Sequence, residues 1–338
     1  MLEHAWFLII ASLLGVYVVL DGFDIGAGIL HLRVAKKNEE REAVLHSIGP
    51  LWDGNEVWLI VVGGALVLAF PTLYARSFSG FYLPLMIVLW LLVFRALGIE
   101  MRHQMAHRLW HQFWDCAFFG ASLLLAIFFG AALGNVVRGV DMNTEGLFFA
   151  PLWTDFSVGP HPGILDWYTV LTALVTVFAL AQHGALWLMM RVQGEVGRRS
   201  QTVAARLWPA VLVLAMLTTV GTYLVQPQMR HNLVAYPLGW VAPALSVGGL
   251  LGVRLLASRE RWRAAFCSSA VFLFGMLFSA AFAIYPYVLP ARDAALGLTL
   301  QAAASHPYGL RVALYWFVPG ILIATGYSVY IYRTWTNR

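Results

Sequence analysis

Charge is scarce in this chain. Among 338 residues there are 22 Lys and Arg and 17 Asp and Glu, 12% of the sequence against 60% hydrophobic residues. That is too little polar side chain to cover a soluble protein of this size. A soluble enzyme and a disordered chain are both excluded, because the apolar residues come in blocks that only a bilayer keeps dispersed. The net charge of +5 would suggest nucleic acid in a soluble protein, but in a membrane protein basic residues report orientation, so no nucleic-acid partner is expected. Cysteine is scarcer still: Cys116 and Cys267 lie in apolar stretches outside any CxxC or CxxCH arrangement and are expected to be packing residues. Positions 1–10 hold Glu3 and His4 but no Lys or Arg, so the basic region of a cleaved signal peptide is missing and the first apolar stretch is expected to stay in the mature protein. No nucleophile elbow, P-loop or zinc motif is present; Gly22, Gly26 and Gly28 lie inside an apolar span with no strand before them, and Gly22 and Gly26 are expected to serve close helix packing.

What is present is a series of nine apolar blocks of membrane-spanning length, at 5–32, 55–72, 78–99, 114–137, 164–190, 205–226, 234–256, 264–287 and 309–333. With the N-terminus outside, sixteen of the 22 basic residues, Arg338 among them, fall on the inner side, five fall on the outer side and Arg95 lies within a span. This asymmetry predicts a periplasmic N-terminus and a cytoplasmic C-terminus. The fold class is an all-α polytopic membrane protein, a single integral domain over 1–338. The long outer segment after the fourth span suggests one four-helix bundle over 5–137, a second over 164–287, and a peripheral ninth helix at 309–333. Tryptophans near span ends, Trp6 and Trp335 included, are expected to act as interfacial anchors.

An ionisable group inside a span costs several kcal/mol unless paired or hydrated, which makes each a functional candidate. Asp21 and Asp24 lie three apart on one face of the first span; Asp53 and Glu56 open the second, Glu100 closes the third and Asp115 opens the fourth, all toward the inner side. Arg95 lies deeper than Glu100 in the third span. Two explanations remain open: caps and ion pairs that fix packing, or carboxylates that pass protons between one another along a hydrated route. Histidine, the usual ligand of membrane haem, gives ten candidates, of which only His183, preceded by Gln182, lies deep in a span. One central histidine cannot supply a bis-histidine pair, so no complete haem centre is expected in this chain, and His183 reads as a hydrogen-bonded packing residue.

The stretch Asp21-Gly22-Phe23-Asp24-Ile25-Gly26, followed by Pro50-Leu51-Trp52-Asp53-Gly54-Asn55-Glu56-Val57-Trp58-Leu59, resembles subunit II of the cytochrome bd family of quinol oxidases. Phe78 to Tyr82, Phe94-Arg95 with Gly98 and Arg102, Trp114-Asp115, Gly134-Asn135, Gln182 with Gly184, and Tyr285-Pro286-Tyr287-Val288-Leu289-Pro290 extend the match along the chain, which is short and resembles the cyanide-insensitive branch. The resemblance implies a nine-helix subunit of the bacterial cytoplasmic (inner) membrane, without haem of its own. Its partner would be a subunit I that carries two b haems and haem d, with quinol and dioxygen as substrates, membrane lipid around it, and in some relatives a small single-helix subunit or a structural quinone. It further implies a proton route through Asp53 with Asp21 and Asp24, joined here by Glu56, Glu100 and Asp115. Trp58 with Trp52 would lie by a lateral dioxygen route or the subunit interface, and Arg95 with Glu100 would form a structural ion pair. Glu56 stands where the family pattern has glutamine. The alternative is a proton- or cation-coupled transporter that binds its ion at Asp21, Asp24 and Asp53.

Overall fold

The computed structural model describes residues 1–336, with side chains to 334. Arg338 and the side chain of Trp335 lie outside the described residues. The chain is built of α1 (Leu2–Val34), α2 (Asn38–Ile48), α3 (Trp52–Ala69), α4 (Pro71–Gly80), α5 (Tyr82–Met101), α6 (Arg108–Arg138), α7 (Trp167–Arg191), α8 (Glu195–Val225), α9 (Pro227–Ala235), α10 (Val241–Ala257), α11 (Trp262–Ile284), α12 (Leu300–Ala303) and α13 (Pro307–Thr336). Nine helices among the described residues are long and apolar enough to cross a membrane: α1, α3, α5, α6, α7, α8, α10, α11 and α13. They fall on the nine apolar blocks read from the sequence with displaced ends: polar first turns extend α8 past its apolar run, whereas the short α4 and α9 take up the block edges beside α3, α5 and α10. The short α2, α4, α9 and α12, and a hairpin of β1 (Tyr287–Leu289) and β2 (Leu298–Thr299), fill the two ends of the bundle.

Helix α1 is the axis of the structure, packed on α3, α6, α7 and α11. Where it crosses α7, Gly26 and Gly184 face each other so closely that a methyl group on either would overlap the other helix's backbone. This is the close approach expected of Gly26. Gly63 and Gly64 differ, facing nothing within 4 Å in this chain. Residues from both 5–137 and 164–287 contribute to one buried cluster, including Phe23, Leu30, Phe118, Leu186 and Trp187. Helix α13 is peripheral, packing on α1 and α3 while Tyr315, Trp316, Leu322 and Ile323 stay exposed.

Two expectations are corrected. Cys116 and Cys267 are exposed free thiols, on outward apolar surfaces rather than in the core. Trp6 is 1% exposed and donates from Nε1 to the Leu310 carbonyl at 3.1 Å. It joins α1 to α13 because the indole has a partner inside the protein and no need of the interface.

Candidate functional site

Along α1, Asp21, Asp24, Gly28 and His31 recur at intervals of three or four and form one stripe facing α3, α5 and α6. Two charged clusters result, at different depths. Asp24 and His31 are seven residues apart, about 10 Å along the helix.

In the deeper cluster Asp21, Asp24 and Arg95 are fully buried. Arg95, in the last third of α5, donates from Nη1 to Asp21 Oδ1 at 2.6 Å and from Nη2 to Glu56 Oε2 at 2.9 Å. Asn55, one residue before Glu56 on α3, donates from Nδ2 to Asp24 Oδ2 at 2.7 Å. Its own Oδ1 accepts from the Tyr332 hydroxyl of α13 at 2.9 Å. The other oxygens, Asp21 Oδ2 and Asp24 Oδ1, have no partner among the described residues, nor do Tyr17 Oη and Arg95 Nε. Two carboxylates and one guanidinium are thus buried together with half of each carboxylate unengaged. Buried polar atoms are so generally paired that such concentration marks a site that handles charge. Asp53, in the first turn of α3, is exposed, and Glu56 lies between it and the buried groups with 22% of its side chain exposed. Trp58 is buried beside Val62, while Trp52 is half-buried against the cluster that holds Leu51.

The ion pair expected between Arg95 and Glu100 is not formed. Five residues on a helix place two side chains about 140° apart around its axis; Arg95 points inward to Asp21 and Glu56, and Glu100 is exposed.

Asp115, near the start of α6, centres the shallower cluster. Its Oδ1 binds His31 Nε2 and Arg102 Nε, each at 2.7 Å, and its Oδ2 binds Arg41 Nη1 at 2.9 Å. Both carboxylate oxygens are thus engaged by side chains from three other segments. Just beyond, Arg199 of α8 grips Glu40 of α2 with both terminal nitrogens, at 2.9 and 3.1 Å, and donates to the Val34 carbonyl at 2.6 Å. The Arg199 guanidinium, with the Lys36 and Lys37 backbone N–H groups, pulls the Glu40 carboxyl down to about 2. This pins α2 across the bundle end.

A fourth charged group lies at the opposite end. Arg138, closing α6, bonds Asp166 through Nη1, Asn135 Oδ1 at 2.7 Å and the Gly163 carbonyl at 2.9 Å. Asp166 also caps α7 by accepting from the N–H groups of Tyr168 and Thr169 at 2.8 and 2.9 Å. After Gly139, whose φ of +90° turns the chain, Arg292 donates to the Arg138 carbonyl at 3.1 Å.

His183 is held at both ring nitrogens, by Ser269 Oγ at 2.6 Å and the Val19 carbonyl at 3.0 Å. Sequence reasoning assigned no role to Asn55, Tyr17, Tyr332, Arg41 or the Arg138–Asp166 pair. Neutral groups in apolar spans give no charge signal. For Asp166, the spacing to Thr169 is a legible capping box, with the two side chains bonding each other's backbone N–H.

The sequence model of the family described as cytochrome bd terminal oxidase subunit II matches residues 2–335. The probable cytochrome oxidase subunit 2 of Haemophilus influenzae is 31% identical, over 98% of this chain and 93% of its own. The cytochrome bd-I ubiquinol oxidase subunit 2 of Escherichia coli is 31% identical, over 96% and 93% respectively. A chain in the structure of bd oxidase from Geobacillus thermodenitrificans superposes with a TM-score of 0.77, covering 99% of this chain and 98% of that one at 16% identity, a likeness of fold.

Proposed function

This chain belongs to the cytochrome bd terminal oxidase subunit II family, and from that premise we propose that it is the haem-free partner of a haem-bearing subunit I and carries protons inward to it. The chain is a multi-pass protein of the bacterial inner membrane. For the haem assignment, the support is the state of the two fully buried histidines. His183 has both ring nitrogens engaged, by Ser269 and the Val19 carbonyl, so with His31 it does not supply the free facing pair that a bis-histidine haem needs. The two b haems and haem d, which supply the oxygen and electron chemistry, are assigned to subunit I.

For proton carriage, one observation weighs most: Asp21 and Asp24 are buried together, each with one oxygen engaged and the other unpartnered. A carboxylate so arranged can take a proton on its second oxygen without breaking its existing bond. The route runs from exposed Asp53 past Glu56 to Asp21 and Asp24. With the basic-residue asymmetry as guide, its entrance is on the cytoplasmic side. Asp115, held by two arginines and a histidine, acts as an anchor, and exposed Glu100 lies off the route. The uncovered faces of α3 and α5, with Val57, Ile60, Tyr82, Leu83 and Trp90 exposed and Gly64 open, are the surface for subunit I. Trp58 borders the apolar route for dioxygen beneath that surface, and Trp52 flanks its inner end.

The coupled-transporter alternative prefers helices broken at the ion site; α1, α3 and α5 run unbroken through the acid cluster. In the assembled oxidase, Asp24→Asn keeps the shape of the site and removes its exchangeable proton. Oxygen consumption is expected to fall by about tenfold or more, with proton uptake falling alongside and the haem spectrum retained. Wild-type rates of both would overturn the proton role.

A further inference from the structure

The peripheral helix α13 reaches into the acid cluster with the side chain of Tyr332. We propose that Tyr332 is a positioning residue for proton carriage: its hydroxyl, donating to Asn55 Oδ1, biases the Asn55 amide so that the NH2 group stays on Asp24 Oδ2 and the proton is taken at Oδ1. The inference rests on the proton-route reading above.

An asparagine amide has nearly the same shape either way round, so its partners decide which end faces where. With NH2 toward Asp24, the amide supports the carboxylate by donating to it at 2.7 Å. Turned over, its carbonyl would repel the carboxylate and would accept only from an acid protonated at Oδ2. The amide would then have to rotate with every proton gained and lost. Tyr332 acts against that rotation from the far side. A phenol donates more strongly than it accepts, because its lone pair is shared with the ring, and its 2.9 Å bond to Oδ1 is made only with the amide as observed. Asp24 Oδ1 has no partner among the described residues and lies where a proton can be taken with the amide at rest.

The placement of α13 fits this role. Near its first turns it is held by the Trp6 bond to Leu310 and by the edge of Phe317 against Trp6, 5.3 Å between ring centroids. Its middle is exposed, and near its end Tyr332 and Ile331 turn inward against buried residues. The groups facing Asp24 are Asp21 from its own helix, Asn55 and Glu56 from α3, Arg95 from α5 and Tyr332 from α13. Asn55 is the bonded neighbour of Asp24 whose orientation is two-fold ambiguous, and Tyr332 is bonded to it.

Tyr332→Phe in the assembled oxidase is expected to lower oxygen consumption about three- to tenfold, the weight of one hydrogen bond, with KM for quinol unchanged. In an Asn55→Ala background the same substitution should cause no further loss, because a residue acting through Asn55 has nothing left to orient. Equal losses in both backgrounds, as a purely structural docking role would give, overturn the inference. Slow turnover in Asn55→Ala beside wild-type turnover in Tyr332→Phe overturns it too while leaving the proton route intact, and wild-type turnover and proton uptake in Asn55→Ala would remove both. If Asn55→Ala does not assemble, infrared spectra of complexes labelled with 13C-asparagine decide: Tyr332→Phe must move a side-chain carbonyl band to higher wavenumber, and an unmoved band overturns the proposal.

Discussion

Two buried arginines at opposite ends of the bundle face the same problem and meet it differently. Around Arg138 every side-chain nitrogen has an acceptor, both oxygens of Asp166 are engaged, and none of the unpartnered buried atoms belongs to the group. Around Arg95 the carboxylates outnumber the guanidinium, and Asp21, Asp24, Tyr17 and Arg95 itself each leave a buried polar atom without a partner among the described residues. Full pairing makes the first group rigid and gives it nothing to exchange. Incomplete pairing costs the second group stability and leaves oxygens that can take and release protons, which is why function is assigned to it and support to the first. The Asp115 cluster is between the two: its carboxylate is held by Arg41, Arg102 and His31, but His31 Nδ1 has no partner among the described residues.

The sharpest way to break this comparison is to remove each arginine group's key partner. Arg138→Met leaves Asp166 buried without its counter-charge and should destabilise the complex by about 3–5 kcal/mol. Thermal unfolding of the purified complex checks this, and whatever assembles should turn over at the wild-type rate. A stable but slow Arg138→Met oxidase would invert the comparison. Asp21→Asn is expected to have a smaller structural effect, about 1–3 kcal/mol, because Glu56 still holds Arg95. Its turnover should fall more steeply than its stability.

The nine spans were legible because hydrophobicity over about twenty residues has one explanation in a chain with so little charge. So was the convergence of Asp21, Asp24 and Glu56, since a carboxylate in an apolar run stands out and spacing of three on a helix fixes its face. Which cation each acid meets was not legible. Arg95 and Glu100 are close in sequence, yet helix geometry turns them apart and brings Arg95 to residues 39 and 74 positions away. Tyr332 was out of reach altogether, 277 positions from Asn55 on a helix whose sequence reads as lipid-facing.

A milder comparison separates the acid cluster from the clasp of Glu40 and Arg199. The Glu40 carboxyl lies at about 2 in the folded protein against an ordinary 4.5, so its contribution is complete above about pH 4.5 and is lost as pH falls toward 2. Amide hydrogen exchange of α2, followed from pH 5 to 3, should show protection declining across that window. In Glu40→Gln protection should be lower throughout and nearly flat with pH. Turnover at neutral pH should change little, because the clasp orders the bundle end and lies outside the proposed route.

The smallest expected effect belongs to Glu100, and it bears on the logic of the whole assignment. Glu100 is an acid at the end of a membrane helix, five residues from a buried arginine, and by sequence alone it has the same standing as Glu56. In the structure Glu56 faces inward and is bonded to Arg95, whereas Glu100 is exposed. If the route depends on acids that share a buried contact, and not on acidity near the membrane surface as such, Glu100→Gln should leave oxygen consumption within about twofold of wild type and stability within about 0.5 kcal/mol. Glu56→Gln should slow turnover severalfold. Equal slowing by both would mean that protons are collected by the charge of the basic end as a whole, and the line drawn through Glu56 to Asp21 would have to be redrawn through Glu100.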